Sequence, residues 1–580
     1  MMTNREIANV FDMVADMLEI KGEIIHRVLS YRRTAETVAE YPREMKAVAA
    51  EGKLEDIPGV GKVLAEKIQE MLDTGKLEFH ERLRAEIPEG VVQMLRVNGV
   101  GPKKAKMFWE SAGITSLDAL EEAAKAGKLR NLPGMGAKSE TKIIEGIDSY
   151  RRRATDTRTP LGMALPLAEM ILARLLALPG ALRGTVAGSA RRGRPTVGDL
   201  DLLVASENAQ PLMDAFVTMP EVSRVLGHGE SKSSVELANG LQVDLRVLAP
   251  ERWGTALQYF SGSQAHNIKL RTLALAKGLS LNEHALNRLA DNSEILCATE
   301  EQVYETIGLP WIPPELREDW GEIEAAQSGR LPSLISIEDI HADLHMHTTW
   351  SDGTRSIREM AEAAQRRGRK FIVITDHSRS ATVANGLSVE RLLAQQEEVR
   401  NVDAEMRAQS GFRVFHGSEV EIKADGTLDY PDDILAQLDF VVASLHVSLR
   451  QPREQVTQRA LNAVSNPHVD LMGHPRGQLI PDREGADLDM ELLFTTAAKH
   501  GTALEINSNP ERLDLEAQYA KRAVELGVKL CIDTDAHSEE DMDLLRFGVL
   551  TARRGWVEAR SVVNTWSLDE FLAWVTPRGK

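Results

Sequence analysis

The stretch GSARRGRPTVGDLDLLVA, at residues 188–205, decides the fold of the first half of the chain. Its end alternates acidic and apolar residues, which predicts a β-strand with Asp199 and Asp201 on one face. A second predicted strand, LQVDLRV at 241–247, carries Asp244 on its polar face. Acids at a solvent-facing strand edge are common, but three converging carboxylates can hold two divalent cations, which activate a hydroxyl and neutralise a phosphate. We therefore predict a mixed α+β domain that binds Mg²⁺ or Mn²⁺ through these three acids.

A short motif occurs three times before this stretch, as IPGVG at 57–61, VNGVG at 97–101 and LPGMG at 132–136. Each copy precedes a predicted helix that carries lysines. Glycines in such a turn allow positive φ and expose backbone N–H groups, which can bind a phosphate without reading a base. Tight turns between packed helices are the alternative. The shared frame favours helix-hairpin-helix binding to the DNA backbone through Gly59, Gly61, Gly99, Gly101, Gly134 and Gly136.

After residue 340, apolar strand-like runs alternate with predicted helices, which indicates a parallel βα barrel with its loops at the strand ends. Ten of the fifteen histidines lie in this section. Nitrogen and oxygen ligands without thiolates favour zinc, manganese or iron, and nine of them exceed one tetrahedral site. We predict two or three metal ions, bound where the runs end and in the loop after the first run, by His345, His347, Asp352, His377, Glu419, His446, His474, Asp535 and His537.

The composition of the 580 residues limits the class of protein. A chain of this length predicts several domains, and no apolar run is long enough to cross a bilayer. Cys297 and Cys531 cannot form a disulfide framework, so we expect a cytoplasmic protein without a membrane partner. Most of the net charge of −18 lies after residue 338 and favours bound cations, whereas the near-neutral first third can bind DNA through local basic spots.

The chain resembles the family X DNA polymerases at GSARR, GDLD and VDLRV, and again at YFSGSQAHNIKLR (259–271) and KGLSLNE (277–283). The resemblance covers about residues 5–317 and implies a nucleotidyltransferase palm that uses dNTPs. It implies phosphate contacts from the hydroxyl of Ser189, the guanidinium of Arg192 and the glycine turns at Gly188 and Gly198. It also implies a sugar-side pocket wall at Tyr259, Phe260 and Gly262, and contacts to the nascent base pair and template from Asn267 and Arg271.

The N-terminal part is similar to the small 5′-phosphate domain of that family. Lys67 stands where the family has a lysine that forms a Schiff base with a sugar aldehyde, and His26 matches a 5′-phosphate contact. Val63 stands where vertebrate members carry an assisting lysine. Lys67 is therefore either a lyase nucleophile, which needs a depressed pKa, or simply a solvated helix residue or a contact to the DNA backbone.

The last section resembles the PHP (polymerase and histidinol phosphatase) family over about residues 338–575, with all its ligand motifs present. The resemblance implies a trinuclear phosphoesterase centre. One metal is implied at His345, His347, Glu419 and Asp535, a second at Asp352, His377 and His537, and a third at Glu419, His446 and His474. A palm followed by this barrel is typical of bacterial and archaeal family X polymerases.

We therefore predict a multidomain chain with an all-α helix-hairpin-helix region, an α+β nucleotidyltransferase palm and a distorted (βα)₇-type PHP barrel. The predicted boundaries follow the changes of composition and of apolar pattern along the chain. They give a 5′-phosphate-type helical domain at 1–85, a fingers-type helical domain at 86–155, the palm at 156–250, a thumb-type domain at 251–317, a linker at 318–337 and the PHP domain at 338–575.

These features predict a monomeric DNA polymerase that fills short gaps in base excision repair, on gapped or nicked DNA with a 5′-phosphate. The barrel is predicted to add a metal-dependent 3′-5′ exonuclease or phosphoesterase activity, with AP endonuclease activity as a further option. Two alternatives stay open. The barrel could be a tethered small-molecule phosphatase, although three hairpins would then have no role. The chain could also be a DNA-end-binding scaffold with a degenerate barrel, although no ligand of the barrel is missing.

Overall fold

The computed structural model describes residues 2–575 except residues 3, 40, 42–44, 58, 96, 98–99 and 154–157. Gly99, one of the predicted hairpin glycines, falls outside these described residues. The chain divides into two compact units, Met1–Thr157 and Arg158–Lys580.

The first unit is built from helices. They are α1 (Asn4–Lys21), α2 (Ile25–Ala39), α3 (Met45–Ala50), α4 (Lys62–Thr74), α5 (Glu78–Glu86), α6 (Glu89–Met94), α7 (Pro102–Ala112), α8 (Leu117–Lys125) and α9 (Ala137–Arg153). Their apolar side chains face inward and form one core. Gly61 and Gly101 have extended backbone and precede the first residues of α4 and α7. The second glycine of these two hairpins therefore marks where a helix begins.

The second unit begins with an α+β palm. Its elements in chain order are β1 (Thr159–Pro160), α10 (Leu161–Leu176), β2 (Arg183–Val186), α11 (Gly188–Arg191), β3 (Thr196–Val197), β4 (Asp199–Ala205), α12 (Gln210–Val217), β5 (Val222–His228), β6 (Lys232–Leu237) and β7 (Gln242–Leu248). Five strands form a sheet in the order β2-β4-β7-β6-β5. Only β4 and β7 are parallel neighbours, so the two predicted acidic strands lie side by side.

A thumb-type region follows the palm. It contains α13 (Trp253–Ser261), α14 (Gln264–Ala276), the small antiparallel sheet β8 (Leu279–Leu281), β9 (Leu286–Arg288) and β10 (Glu294–Ile295), then α15 (Glu300–Ile307) and α16 (Glu322–Gln327). Helix α16 lies within the segment predicted as a linker. Its Glu322 Oε1 is 2.6 Å from His266 Nδ1, and both side chains are buried. The connection therefore packs against the thumb core, because Ile323 and Ala326 join that core.

The barrel takes up the rest of the chain. Its elements are β11 (Ala342–Asp343), α17 (Ile357–Arg366), β12 (Phe371–Ile374), α18 (Val389–Ser410), β13 (Arg413–Glu421), α19 (Asp432–Leu435), β14 (Phe440–Ser444), α20 (Arg453–Ser465), β15 (Leu471–Gly473), α21 (Met490–His500), β16 (Ala503–Asn507), α22 (Ala517–Glu525), β17 (Leu530–Asp533), α23 (Leu545–Arg554) and α24 (Leu568–Val575). The seven strands pair in parallel and in chain order.

The barrel is nearly closed between its first and last strands. Met346 and Ala536, just beyond these strands, form a parallel bridge, and His347 N donates to Ala536 O over 2.8 Å. The predicted fold class is thus confirmed, with a helical region, an α+β palm and a seven-stranded parallel barrel. No helix in the described part of the chain is both long and apolar enough to span a membrane.

Candidate functional site

The three predicted palm acids lie at one edge of the β4–β7 pair. The parallel register places Asp201 opposite Asp244 and Asp199 opposite Gln242. Alternation along β4 turns Asp199 and Asp201 to the same face. Burial, together with the charges of Asp199 and Asp244, raises the pKa of Asp201 to about 7. Carboxylates crowded in this way favour a bound divalent cation, which offsets their repulsion.

Two neighbouring side chains contact the third acid. Lys232 Nζ, from β6, lies 2.5 Å from Asp244 Oδ2, and Gln242 Nε2 donates to Asp244 Oδ1 over 2.9 Å. Burial alone would raise the pKa of Asp244, but these contacts hold it below its ordinary value. The sequence analysis did not single out Lys232. The feature that could have identified it is a lysine in the segment just before a predicted acidic strand.

The turn before β4 requires glycine. Gly188 has φ +61°, and a Cβ atom there would lie 2.3 Å from Asp201 Oδ2. A side chain at this position would therefore displace an acid of the cluster. Ser189 follows in the short helix α11. Gly198 directly precedes Asp199, and a Cβ atom at this glycine would be 3.6 Å from Arg158 Nη1.

The two arginines of the turn are held by acids. Arg191 pairs with the buried carboxylate of Glu300 at 2.7 Å. Arg192 Nε donates to Glu318 Oε1 over 2.9 Å, and its Nη1 donates to the backbone oxygen of Ser261 over 2.5 Å. Both guanidinium groups are thereby held in place at the turn that precedes β4, and a fixed guanidinium suits the recognition of a phosphate.

The predicted sugar and base contacts lie around the end of α13. The rings of Tyr259 and Phe260 meet edge to face, and Arg246 lies 4.0 Å from the centre of the Phe260 ring. Asn267 is buried and donates to the backbone oxygen of Tyr259 over 2.7 Å. Arg271 Nε donates to the backbone oxygen of Asn267. Gly262 also belongs to this group, since a Cβ atom there would approach Arg192 Nη1 to 2.9 Å.

The described hairpin glycines of the first unit face open space. Gly59 and Gly134 have φ +80° and +72°, which favours glycine, and no heavy atom lies within 4 Å of a Cβ atom added at either position. The same space is open at Gly61, Gly101 and Gly136. A backbone phosphate can therefore approach these turns closely.

Lys67 lies among aromatic and cationic neighbours in the first unit. Its Nζ is 4.5 Å from the centre of the Phe79 ring, which Arg27 and Arg82 also contact. Burial lowers the pKa of Lys67, and the two arginines add to that effect. His26 is exposed at the start of α2. This environment provides the depressed pKa that a lysine nucleophile needs.

The structure brings all nine predicted barrel ligands together. Glu419 Oε2 is 2.8 Å from His377 Nδ1 and 3.5 Å from His345 Nε2. Its Oε1 is 2.9 Å from His474 Nε2 and 3.2 Å from His446 Nε2. Glu419 lies inside β13, whereas the other ligands follow strand ends. It is therefore the centre of the cluster.

The remaining ligands surround His347. The distance from His347 Nε2 to Asp535 Oδ1 is 3.0 Å, and Asp352 Oδ1 is 3.8 Å from His347 Nδ1 and 3.4 Å from His537 Nε2. Three groups have ligand atoms within 4.8 Å of one another, namely His347, Asp352, His377 and His537; His345, His347 and Asp535; and His377, Glu419 and His446. His347 and His377 each occur in two groups, so the distances alone do not assign either of them to one group.

The donor set fits divalent metals. His345 Nε2 and His347 Nδ1 are buried and have no hydrogen-bond partner among the described residues. Burial and the neighbouring histidines lower the pKa of His347 to about 3, which keeps the imidazole in its neutral, metal-binding form. Burial opposes protonation of His446, but Glu419 and Glu421 raise its pKa to about 10. Metal binding would therefore displace a proton there.

Several residues that the sequence reasoning missed hold the ligands in place. Glu505 Oε1 is 2.7 Å from His345 Nδ1, and its Oε2 accepts from the backbone N–H of His474 over 2.5 Å. Glu421 Oε2 is 2.7 Å from His446 Nδ1. Carboxylates that bind the far nitrogen of a ligating imidazole fix the orientation of its ring. The sequence feature that could have identified Glu505 is an acid within an apolar strand, as in ALEIN at 503–507.

Arg512 places a cation at the edge of the barrel cluster. Its Nε is 3.7 Å from Asp535 Oδ2, and its Nη1 is buried without a hydrogen-bond partner among the described residues. Burial lowers the pKa of His474, and Arg512 adds to that effect. An arginine with a donor left over beside a metal-type cluster suits a phosphate oxygen.

Four segments match known protein families. Residues 2–77 match the helix-hairpin-helix domain, 91–149 the SAM-like helix-hairpin-helix tandem, 256–318 the DNA polymerase beta thumb and 343–509 the PHP domain. Among curated proteins, the DNA polymerase/3′-5′ exonuclease PolX of Bacillus subtilis (strain 168) is 37% identical over 576 residues, 99% of each chain.

Two further relatives match parts of the chain. A probable phosphatase of Thermoanaerobacter sp. (strain X514) is 31% identical over 235 residues, which are 38% of this chain and 89% of that protein. DNA polymerase lambda of Rattus norvegicus is 26% identical over 346 residues, 55% of this chain and 56% of that protein.

Proposed function

Since this chain belongs to the family X DNA polymerases of the PolX type, we propose that it extends DNA 3′ ends at the palm and hydrolyses phosphoesters at the barrel. The family resemblance predicted from the sequence is confirmed by these matches. The observation that carries the proposal is the presence of two separate clusters in one chain, one of carboxylates and one of histidines and carboxylates, each with the chemistry of a divalent-metal site.

At the palm, Asp199, Asp201 and Asp244 would hold Mg²⁺ or Mn²⁺. Such ions activate the 3′ hydroxyl and offset the charge of the phosphate under attack. Gly188, Ser189, Gly198 and the guanidinium of Arg192 would bind the triphosphate of a dNTP. The sugar would lie against Tyr259, Phe260 and Gly262, and the base pair near Asn267 and Arg271. These assignments rest on the resemblance and on the closeness of the side chains.

At the barrel, the nine ligands would hold two or three Zn²⁺, Mn²⁺ or Fe²⁺ ions. Such ions polarise a phosphate and lower the pKa of water. Glu419 would bridge two of the ions. Glu505 and Glu421 would orient His345 and His446, and Arg512 would bind a phosphate oxygen. The substrates we propose are DNA 3′ ends and, as a further option, abasic sites.

The substrate that suits the whole chain is gapped or nicked DNA with a 5′-phosphate, together with dNTPs. Open hairpin glycines would bind the backbone, and His26 would contact the 5′-phosphate. The lowered pKa of Lys67 supports a lyase role, in which its neutral amine attacks a sugar aldehyde. We propose that the chain acts as a monomer in the cytoplasm, in base excision repair.

A second candidate function is hydrolysis of small phosphate esters by the barrel. The match between 38% of this chain and a probable phosphatase favours it. A barrel that releases phosphate from a small phosphomonoester, and leaves a labelled DNA 3′ end intact, would establish this function in place of the exonuclease.

The test is a pair of crossed substitutions assayed on one labelled gapped duplex, with and without dNTPs and Mn²⁺. Asp201→Ala removes an acid of the palm cluster only. We expect primer extension to fall by about 10³-fold or more, the usual scale for loss of a catalytic group, while 3′-end degradation continues. Glu207→Ala, at an exposed acid just after β4, is the matched control and should keep both activities.

Glu419→Ala is the reverse substitution. We expect it to abolish degradation and to lower the bound metal by more than one equivalent in elemental analysis, with extension retained. Parallel loss of both activities in either variant would contradict two separate sites. A wild type that holds a single barrel metal would overturn the multinuclear assignment.

A further inference from the structure

Glu318 is a buried carboxylate shared by the palm and the barrel. Its Oε1 accepts from Arg192 Nε over 2.9 Å and from Arg554 Nη1 over 2.8 Å. Arg194 Nη1 lies 3.7 Å from its other oxygen. Burial would raise the pKa of Glu318, but the three arginines hold it well below the ordinary value. Glu318 is therefore an anion within a cluster of cations.

Arg554 comes from the last turn of barrel helix α23. Its side chain is only 4% exposed, and the same Nη1 also donates to the backbone oxygen of Arg192 over 2.9 Å. The neighbouring Gly193 packs against this helix, since a Cβ atom there would be 3.4 Å from Arg554 Cδ and Leu550 Cβ. One barrel guanidinium thus contacts both the main chain of Arg192 and the acid that binds its side chain.

We propose that Glu318 and Arg554 are positioning residues for the phosphate-binding Arg192, so that the barrel supplies part of the nucleotide pocket of the palm. The inference rests on the proposed function, because it takes Arg192 as a contact of the triphosphate. It predicts that a barrel residue with no metal-binding role controls the affinity of the palm for dNTPs.

The balance of charges explains why Glu318 binds a barrel arginine in addition to Arg192. A carboxylate paired with Arg192 alone would neutralise it and weaken its attraction to a triphosphate. Arg554 competes for the same carboxylate oxygen, so that three guanidinium groups share one negative charge and the cluster keeps a net positive charge. The bond to the backbone oxygen of Arg192 also holds the turn in place.

The experiment compares Arg554→Met with Arg546→Met in the full-length protein. Arg546 lies on the same helix and pairs with Glu169 across the same boundary, but both side chains are exposed and neither contacts Arg192. Primer extension gives KM for dNTP and kcat. We expect Arg554→Met to raise KM by about tenfold, the scale of one lost charge-assisted hydrogen bond, with kcat changed little. Arg546→Met should match the wild type.

Two further variants separate positioning from folding. Arg554→Lys keeps the charge and should bring KM back toward the wild-type value. Glu318→Gln makes the cluster more positive but removes the carboxylate that orients Arg192, so we expect it to raise KM as Arg554→Met does, because orientation outweighs charge. Barrel hydrolysis and the bound metal should be unchanged in Arg554→Met. If Arg554→Met does not stay folded at the assay temperature, Arg554→Lys and Glu318→Gln decide the question by the same KM readout.

Equal KM values in Arg554→Met, Glu318→Gln and Arg546→Met would overturn the inference while leaving the polymerase function intact. Failure of the proposed function would give a different result in the primer-extension assay. In that case the wild type and Arg546→Met would not extend the primer, whatever the residue at 554.

Discussion

At the residue scale, the barrel cluster is held in place by side chains outside the predicted ligand set. Glu505 is fully buried and contacts both the ring of His345 and the backbone of His474. One carboxylate therefore fixes two ligands that follow different strands, β11 and β15. Removing it would leave both imidazoles in place but free to turn.

We predict that Glu505→Gln lowers 3′-end hydrolysis or metal affinity by about 10–100-fold, the usual effect of losing such a partner. Primer extension should be unchanged, because the palm cluster is untouched. Hydrolysis rates and metal titration measure the effect. Glu525→Gln, at an exposed acid of α22, is the control. A Glu505 variant that equals this control would show that His345 needs no such support.

Residue types and spacing were sufficient to predict which nine side chains gather in the barrel, but not the residues that hold them in place. The nine predicted ligands were singled out because histidines and acids closed successive apolar runs or lay in the loop after the first run. Glu505 was missed because an acid inside an apolar run, as in ALEIN, has no distinguishing periodicity. Glu318 and Arg554 were missed because their contact joins residues 236 positions apart, which no local pattern reports.

At the element scale, α15 is tied to the palm by a buried charge network. Glu300, in its first turn, pairs with Arg191 of α11 and with the fully buried Arg317, each at 2.7 Å. Burial would raise the pKa of Glu300, but the two arginines lower it to about 2. The helix that starts with this acid thereby links the thumb-type region to the turn before β4.

Glu300→Gln should lower the free energy of unfolding by about 3–5 kcal/mol at pH 7, because it leaves buried arginines without their acid. The pKa of this acid is depressed by folding, from an ordinary 4.5 to about 2. Its contribution is therefore present above pH 4.5 and is lost as the pH falls toward 2.

Thermal unfolding of the variant and the wild type at several pH values measures this contribution. The difference between the two proteins should shrink as the medium becomes acidic. Glu301→Gln, at the exposed neighbour, should have little effect at any pH. A constant difference from pH 7 to pH 3 would show that Glu300 does not titrate in this way.

The segment predicted as a linker, residues 318–337, holds buried acids. It follows the proline-rich stretch LPWIPP at 309–314, whose composition suggested a connection. The structure places the buried carboxylates of Glu318 and Glu322 in pairs with Arg192 and His266. These charged residues are buried because each forms an ion pair with a residue distant in sequence. Composition alone could not show which charged residues find such partners.

At the scale of the whole molecule, we predict a preference for gaps over long single-stranded templates. A gap offers a 3′ end for the palm and a 5′-phosphate for the helical region. Filling of a short gap should be faster with a 5′-phosphate than with a 5′-hydroxyl on otherwise identical DNA. Equal rates on the two substrates would remove the proposed role of His26.

Salt provides a second measurement on the same complex. Backbone contacts release counterions, so the logarithm of the affinity for gapped DNA should fall linearly with the logarithm of the salt concentration. A flat response would contradict backbone binding by the hairpins. The overall charge of −18 could not predict this behaviour, because most of the net negative charge lies after residue 338, in the barrel section.

The closure of the barrel between its first and last strands determines when its cluster can form during synthesis of the protein. His347 and Asp535 are 188 residues apart, yet their side chains meet in one cluster. During translation, the helical unit and the palm leave the ribosome before the codons for Asp535 and His537 are read. The three palm acids are therefore synthesised before the last two members of the barrel cluster. The barrel cluster cannot be complete until Asp535 and His537, which follow the final strand, have been added.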